Sequence, residues 1–316
     1  MSRGNPAHSK QSKFVFRRKF SMANHIGQSR RRSLRRRRFK IVAFSFFLVI
    51  FLLSSTMALK TVIESSKAKS DYSELQALMK QAEYENTVVA TKNEAEPAVT
   101  NETGLNVAEK PAVANAEPPI IIQRQKTSMD FSALKEINPD IIGWIRAEGT
   151  NIDYPIAQTD NNEYYLSHLY NKDWNSSGTI FADYRNADNF SDRNTVLYGH
   201  HMKNGTMFNA LEEYKDQDFY DVNPTMTLFT PDGDYIIELI CGTVEDGNYQ
   251  FVKFDFDSEE SFVQYIEEIQ SRSTFASDVE LHPGDKIVSL CTCSYEWTNA
   301  RFMVIGRLVP IMEAVN

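Results

Sequence analysis

Two cysteines lie one residue apart near the end of the chain, in the stretch SLCTCSYEWTNARF, with Arg301 eight residues after the second. A zinc site needs about four ligands, and Cys241, in IIELICGTV, looks like an ordinary strand residue. A disulfide between Cys291 and Cys293 would be strained, because alternate strand residues do not bring their Cβ atoms to bonding geometry. A reactive thiol beside a spectator, or two small buried thiols, remain as interpretations.

A pair of histidines closes another strand-like stretch, NTVLYGHH. Thiol chemistry on an acyl group needs a nucleophilic sulfur, a group that carries a proton, and a charge that stabilises the oxyanion. Cys293, His200 and Arg301 could supply these roles in that order. His201 is the adjacent alternative to His200.

The elements that must position these residues are mostly short strands. Alternating and β-branched runs predict eight of them, and Pro231-Asp232-Gly233 predicts a hairpin turn. The stretch SEESFVQYIEEIQSRS predicts a helix over 258–273 with Ser258 as N-cap, and Asp130 is the expected N-cap of a short helix before Pro139. Many short strands with a few helices favour a β-barrel or sandwich with helical additions.

Charge and composition divide the chain into four regions, residues 1–40, 41–59, 60–128 and 129–316. Residues 1–40 hold 14 Lys/Arg and no acidic residue, which leaves 20 basic and 42 acidic residues for the rest. The uncharged run of residues 41–59 is long enough to span a bilayer core. Residues 60–128 predict a helical stalk followed by a disordered linker, because apolar periodicity gives way to Ala, Glu, Asn, Val and Pro. Residues 129–316 predict one globular domain.

The basic flank of residues 1–40 places the N-terminus in the cytoplasm and the globular domain outside the cell. We favour an uncleaved single-pass anchor over a cleaved signal peptide, because the apolar run is long and Thr56-Met57-Ala58 is a poor cleavage site. Three cysteines do not suggest a disulfide scaffold, so an external free thiol points to a chemical role.

These residues resemble the motifs of a known protein family. LCTC followed by ARF resembles the Leu-x-Thr-Cys…Arg signature of sortases, the cysteine transpeptidases of Gram-positive cell surfaces, and YGHHMKNGTMF resembles their Gly-His segment. INPDIIGWIRAEGTNIDYPIAQTDNNEYYLSHLYNKDWNSSGTIFADYRN is similar to class B sortases. The resemblance covers about Phe131 to Val309.

The resemblance implies an eight-stranded sortase-type β-barrel with an added N-terminal helix and a long helix before the catalytic cysteine strand. It implies Cys293 as the nucleophile, Cys291 as a spectator at a variable position, His200 as the catalytic histidine and Arg301 as the catalytic arginine. His201 falls on a variable position. Two further residues of the signature are expected to line the substrate groove, namely Leu290 and Thr292.

The implied reaction has two steps. The Cys293 thiolate attacks the carbonyl of a Thr in a C-terminal sorting signal of a secreted protein, and a thioester acyl-enzyme forms. An amino group of peptidoglycan then attacks this thioester, which anchors the surface protein to the wall. The expected partners are therefore sorting-signal proteins, peptidoglycan and the bilayer through residues 41–59. Nothing suggests a metal or an organic cofactor.

Three alternatives remain. A pilin-polymerising class C sortase usually carries a second membrane helix at its C-terminal end, which the residues up to IMEAVN do not show. A non-catalytic surface-binding module would not need intact Cys, His and Arg positions. The arginine-rich arm alone could bind nucleic acid, in which case its binding would depend on salt, but no nucleic-acid partner is expected.

Overall fold

The structure is a computed structural model that describes residues 8–93, 122–125, 127–248 and 252–315, with side chains described for 37–81, 127–248 and 252–312. The chain divides into two compact units, Met1–Val62 and Ile63–Asn316. The first unit contains the N-terminal part of the long helix α1 (His8–Asn93). The second unit contains the remaining elements.

The apolar stretch of the first unit is exposed along its helix. Phe44, Phe47 and Phe51 each leave about two thirds of their side chain uncovered, at 69%, 67% and 66%. The described helix segment Arg37–Gln81 is long and apolar enough to cross a membrane, judged by length and composition. The predicted span, residues 41–59, lies inside it.

Ten strands are present in the described residues of the second unit. In chain order they are β1 (Ile122–Gln125), β2 (Ile141–Arg146), β3 (Asp153–Ala157), β4 (Ile180–Ala182), β5 (Asn194–Tyr198), β6 (Thr225–Phe229), β7 (Tyr235–Asp246), β8 (Lys286–Cys293), β9 (Ala300–Pro310) and β10 (Met312–Val315). Eight of them close a barrel in the order β2-β3-β4-β5-β8-β9-β7-β6. The pairs β3–β4 and β5–β8 are parallel and the others antiparallel. β1 and β10 form a separate antiparallel pair.

Short helices connect these strands. They are α2 (Phe131–Ile137), α3 (Gln217–Val222), α4 (Glu259–Gln270) and two 3-10 helices, Tyr164–Leu166 and Phe208–Lys215. Asp130 caps α2 by accepting from the backbone N–H groups of Ser132 and Ala133. Ser258 caps α4 in a reciprocal arrangement with Ser261, which satisfies backbone donors that a helix start otherwise leaves unpaired.

The barrel wall is buried on both sides where α4 covers it. The interior cluster includes Leu290, whereas Cys291, the next residue of β8, belongs to a second cluster under α4. Phe262 and Ile266, one turn apart on α4, are 1% and 2% exposed in that second cluster. Burial of each such side chain contributes about 1.5–3 kcal/mol. β8 is therefore held from inside and outside along most of its length.

The part of α1 that belongs to the second unit packs on the barrel. Tyr72 is 4% exposed, and its hydroxyl donates to the Gly178 carbonyl at 2.8 Å. The Gln76 side-chain amide donates to the Asp153 carbonyl at 2.6 Å. These contacts join the helix to the loop before β4 and to the start of β3.

The predicted fold is confirmed. The barrel has eight strands, and each lies at one of the eight sequence runs that predict a strand. The hairpin about Pro231-Asp232-Gly233 joins β6 and β7, and the predicted helix over 258–273 is α4. β1 and β10 were not predicted, and β1 falls within the expected linker. Most of that linker lies outside the described residues. The domain boundary at residue 129 stays a prediction.

Candidate active site

Cys293 and Arg301 lie on neighbouring strands, and His200 follows a third strand that pairs with the cysteine strand. Cys293 is the last residue of β8, and antiparallel pairing with β9 places it opposite Arg301. On its other side β8 runs parallel to β5, with Tyr198 opposite Cys291. His200 comes two residues after the end of β5. Paired residues of neighbouring strands point to the same face of a sheet, so Cys293 and Arg301 share a face.

The three cysteines differ in burial. All are free thiols, and Cys241 and Cys291 are buried whereas Cys293 is partly exposed. Burial raises the pKa of the Cys241 thiol to about 12 and raises the pKa of Cys291 far above its usual value. The thiolate is the nucleophilic form of cysteine. Cys293 is therefore the thiol that a substrate can reach.

His200 is held by the loop that precedes β4. Its Nε2 lies 2.8 Å from the carbonyl oxygen of Leu166. A carbonyl only accepts, so Nε2 donates, and this assigns the tautomer from the hydrogen bond. Gly178, with φ +62°, lies against the ring, since a Cβ there would come within 3.2 Å of His200 Cδ2. The contact fixes the imidazole and leaves Nδ1 for a second partner.

The glycine before the histidines is required by packing. A Cβ on Gly199 would lie 2.4 Å from Ile180 Cδ1 and 2.6 Å from Phe208 Cδ2. The Gly199 backbone also joins the cysteine strand, because its N–H donates to the Cys291 carbonyl at 3.1 Å and its carbonyl accepts from Thr292 Oγ1 at 2.8 Å. Close approach at Gly199 is what brings the histidine segment to the end of β8.

His201 contacts the backbone of the cysteine itself. Its Nδ1 lies 3.1 Å from the Cys293 carbonyl oxygen and 3.9 Å from Glu212 Oε1. Its ring packs edge-on to Tyr295, with centroids 5.0 Å apart. Among the described residues, the hydrogen bonds of both histidine rings go to backbone carbonyls and not to the Cys293 sulfur. The structure thus brings both histidines to the site, each on a different side.

Arg301 keeps its charge available. Its Nη1 donates to the Ala300 carbonyl at 3.0 Å, and within the described residues its guanidinium has no carboxylate partner. Glu245, opposite Arg301 on β7, pairs instead with Arg272 at 3.2 Å. An unpaired guanidinium beside a thiol can stabilise negative charge that develops on a substrate oxygen.

The two residues expected to line the substrate groove face inward. Leu290 is 0% exposed and lies in the interior cluster, while Thr292 is 2% exposed and donates to Gly199. Their contact with substrate stays a prediction. Thr292 has a visible structural role, since its hydroxyl fixes the spacing between the cysteine and histidine segments.

A buried carboxylate supports β5 below the site. Asp183 is 0% exposed and accepts from Arg185 Nε and Nη2, both at 2.8 Å. It also accepts from the Tyr198 hydroxyl at 3.0 Å, which joins β4 to β5. Burial opposes ionisation, but the Arg185 guanidinium and the other donors hold the pKa of Asp183 below its usual value.

Sequence reasoning missed a polar cluster beside Cys293. It consists of Glu212, Lys215, Ser294 and Glu296, and the name Glu212 cluster is used for these four residues. Lys215 Nζ contacts the carboxylates of both Glu212 and Glu296 and lies 2.8 Å from Ser294 Oγ. No local pattern marks these residues, because the two pairs lie about 80 positions apart in the chain.

Comparisons with known proteins agree with this arrangement. The sortase domain family model matches residues 145–309. A relative from Listeria monocytogenes named sortase B is 35% identical over 178 residues, which are 56% of this chain and 72% of the relative. Sortase B of Staphylococcus aureus is 32% identical over 183 residues, which are 57% of this chain and 75% of that protein.

Solved structures give the same result. The structure of Clostridium perfringens sortase B matches 57% of this chain and 100% of its own, at 37% identity and a TM-score of 0.55. The family-model match, residues 145–309, holds the end of β2, all of β3 to β8 and all but the last residue of β9, together with His200, Cys293 and Arg301. By family model, sequence and fold, this chain belongs to the sortase family, and its relatives at this identity are class B sortases.

Proposed function

We propose that this chain is a membrane-anchored sortase that cleaves a C-terminal sorting signal after Thr and joins the surface protein to peptidoglycan. Sortases are cysteine transpeptidases, and this chain has the residues for that chemistry. One observation carries the proposal: Cys293, the accessible thiol, ends β8 directly opposite Arg301, and the hydrogen bond from the Gly199 N–H to the Cys291 carbonyl joins the segment before His200 to the same strand.

The first step forms an acyl-enzyme. The Cys293 thiolate attacks the carbonyl carbon of the scissile Thr, and the electron pair of the C=O bond moves to oxygen. Arg301 stabilises that oxyanion. When the tetrahedral intermediate collapses, the C–N bond breaks and the protonated imidazole of His200 gives its proton to the leaving amine. A thioester on Cys293 remains.

The second step reverses these roles. An amino group of peptidoglycan attacks the thioester carbonyl and gives its proton to the now neutral His200. The C–S bond breaks, the thiolate returns, and a new amide joins the two substrates. The reaction needs no oxidant, reductant or added cofactor, because one amide is exchanged for another.

The geometry also supports the division between the two neighbouring cysteines. Cys291 is covered by α4 and its pKa is raised, so its thiol stays protonated and out of reach. Cys293 extends beyond that cover. Exposed aromatic side chains follow it in the turn to β9, where Tyr295 is 64% and Trp297 47% exposed. Such rings suit contact with an extended apolar peptide.

The anchor and topology rest on the first unit of the chain. Residues 1–40 are strongly basic, and the exposed apolar side chains of residues 41–59 suit a lipid environment. Positive flanking charge favours a cytoplasmic N-terminus. We infer a single-pass protein of the cell membrane whose catalytic domain lies outside, where exported proteins and the wall are both within reach.

Intact-mass spectrometry tests the proposal. The full chain in detergent micelles is incubated with a peptide library that varies the sorting-signal pentapeptide, and adducts are mapped by peptide digestion. An adduct on Cys293 whose mass equals the N-terminal half of one peptide, with release of the other half, is expected. Adducts that appear on Cys241 or Cys291 instead would overturn the assignment of the nucleophile.

A further inference from the structure

The Glu212 cluster lies on both sides of the peptide unit that follows the nucleophile. Ser294 and Glu296 lie one and three residues after Cys293, in the turn from β8 to β9. Glu212 and Lys215 belong to the 3-10 helix Phe208–Lys215, which follows the two histidines. The cluster therefore joins the segment after the cysteine to the segment after the histidines.

The contacts inside the cluster are close and complete. Lys215 Nζ donates to Ser294 Oγ at 2.8 Å, and the one proton of the Ser294 hydroxyl is shared between carboxylate oxygens of Glu212 and Glu296. Glu212 Oε1 lies 2.6 Å from that hydroxyl oxygen. Burial opposes ionisation of Glu296, but Lys215 and Ser294 hold its pKa at about 2. The Glu296 carboxylate is therefore charged at neutral pH.

A second set of contacts connects the cluster to Cys293. His201 Nδ1 lies 3.1 Å from the Cys293 carbonyl oxygen, and Glu212 Oε1 is 3.9 Å from the same nitrogen. The Ser294 N–H donates to the Ala300 carbonyl at 2.9 Å. The peptide unit after the nucleophile is thus fixed at its carbonyl by His201 and at its N–H by the Ala300 carbonyl.

A simpler interpretation is a surface ion cluster that adds a little stability. Fully exposed pairs of this kind contribute little to stability. Here the side chains of His201, Glu212, Lys215 and Glu296 are only 13–33% exposed. Ser294 is 5% exposed. Partly buried charges that converge on one peptide unit restrict its position more than isolated surface pairs do.

We propose that Glu212 is a positioning residue for the transpeptidation: it holds Ser294 and His201 and, through them, sets the place of the Cys293 sulfur relative to His200 and Arg301. Lys215 shares this role by holding the Glu212 and Glu296 carboxylates together. The inference rests on the proposed function and adds residues that do not touch the substrate. A displacement of about 1 Å at a reacting atom can cost about 100-fold in rate.

The main experiment compares Glu212→Gln with Glu213→Gln in the full chain. Glu213 is the adjacent, exposed residue of the same 3-10 helix and lies outside the cluster, so it controls for charge and helix effects. For Glu212→Gln, kcat for the peptide found by mass spectrometry is expected to fall about tenfold or more with KM within about twofold. Glu213→Gln should match the wild type.

A second pair of variants keeps the test valid if Glu212→Gln destabilises the fold. Lys215→Met is expected to lower kcat like Glu212→Gln, and Lys215→Arg is expected to restore at least half of the wild-type value because guanidinium can hold both carboxylates. Loss of kcat in Lys215→Arg equal to that in Lys215→Met, in proteins with wild-type melting temperatures, would overturn the positioning role.

A measurement without substrate separates this inference from the proposed function. The rate of iodoacetamide alkylation at Cys293 and the NMR signal of the His201 ring are recorded for the wild type, Glu212→Gln and Glu213→Gln. We expect both to change in Glu212→Gln alone. If they change while the wild type acylates no peptide, the proposed function fails, and only the structural part of the inference stands, namely that Glu212 positions the Cys293 thiol. If the wild type is active and Glu212→Gln equals it in every readout, the inference fails.

Discussion

Cys291 and Cys293 lie on the same face of β8, yet they differ in burial and therefore in whether a substrate can reach the thiol. Cys291 lies under α4 and is 2% exposed, whereas Cys293 is two residues further on, where the helix no longer covers the strand. Strand β8 aligns both cysteines with the neighbouring histidine and arginine segments. Burial under α4 decides which of the two thiols is reactive. Four predictions test this comparison, from the largest expected effect to the smallest.

The largest effect is expected at the nucleophile. Cys293→Ala should lower turnover by about 10⁴-fold or more, because the acyl-enzyme cannot form. Cys291→Ala removes only a buried sulfur and should keep activity within about threefold. Steady-state cleavage of the selected peptide measures both variants. Comparable losses from the two substitutions would show that the covered thiol takes part in the reaction.

The histidine pair should show the next largest difference. His200→Ala removes the proton donor and should lower kcat by about 10²–10⁴-fold. His201→Ala removes the contact with the Cys293 carbonyl and should cost about tenfold. Single-turnover acylation followed by mass spectrometry gives both rates. The opposite order would place the proton donor one residue later in the chain.

Loosening the packing of α4 on β8 should make Cys291 accessible, as Cys293 already is. Phe262→Ala creates a cavity in the cluster under α4 and should lower the free energy of unfolding by about 3–5 kcal/mol. Cys291 should then react with iodoacetamide in the folded protein. Val263→Ala is the matched control, since Val263 lies next along α4 and is 39% exposed. Urea unfolding and mass-mapped alkylation report the two effects. An unchanged alkylation rate for Cys291 in Phe262→Ala would mean that another element shields it.

The smallest effect concerns the buried carboxylate that supports β5. Asp183→Asn should lower the free energy of unfolding by about 2 kcal/mol at pH 7, because it weakens charge-assisted hydrogen bonds from Arg185. The folded-state pKa of Asp183 lies below its unfolded value. The wild-type advantage is therefore present above the unfolded pKa and is lost as pH falls through the folded one. Thermal unfolding from pH 7 to pH 3 should show the two curves converge. A constant difference across this range would assign the stabilisation to packing.

The elements of the barrel could be predicted because each carries a local signal. Strands such as β8 alternate or are continuously apolar, and α4 shows apolar residues at helical spacing after its N-cap. β1 and β10 were missed because four-residue strands separated by most of the domain have little local pattern, and their pairing depends on the rest of the fold. The packing of Tyr72 on the barrel was missed for the same reason, since its partners lie over 100 residues away.

The site could be predicted only in part. Cys293, His200 and Arg301 stand out by residue type, by position at strand ends and by resemblance to a motif, and the structure pairs Cys293 with Arg301 across two strands. Their catalytic roles stay predictions. The Glu212 cluster could not have been found, because an ordinary surface glutamate and lysine acquire their meaning from partners about 80 residues later. The difference in burial between Cys291 and Cys293 depends on the packing of α4, which sequence spacing alone does not show.

The parallel pairing of β5 with β8 has a consequence for the time at which activity appears. The barrel order places β8 between β5 and β9, so the cysteine strand enters between two others to complete the wall. A chain in which β2 to β7 have paired but β8 has not entered holds a histidine without its thiol partner. Contacts between segments this distant in sequence form late and slowly relative to local ones. Under the proposed function, the chain is therefore inert until β8 has entered the barrel, and activity begins only when folding is complete.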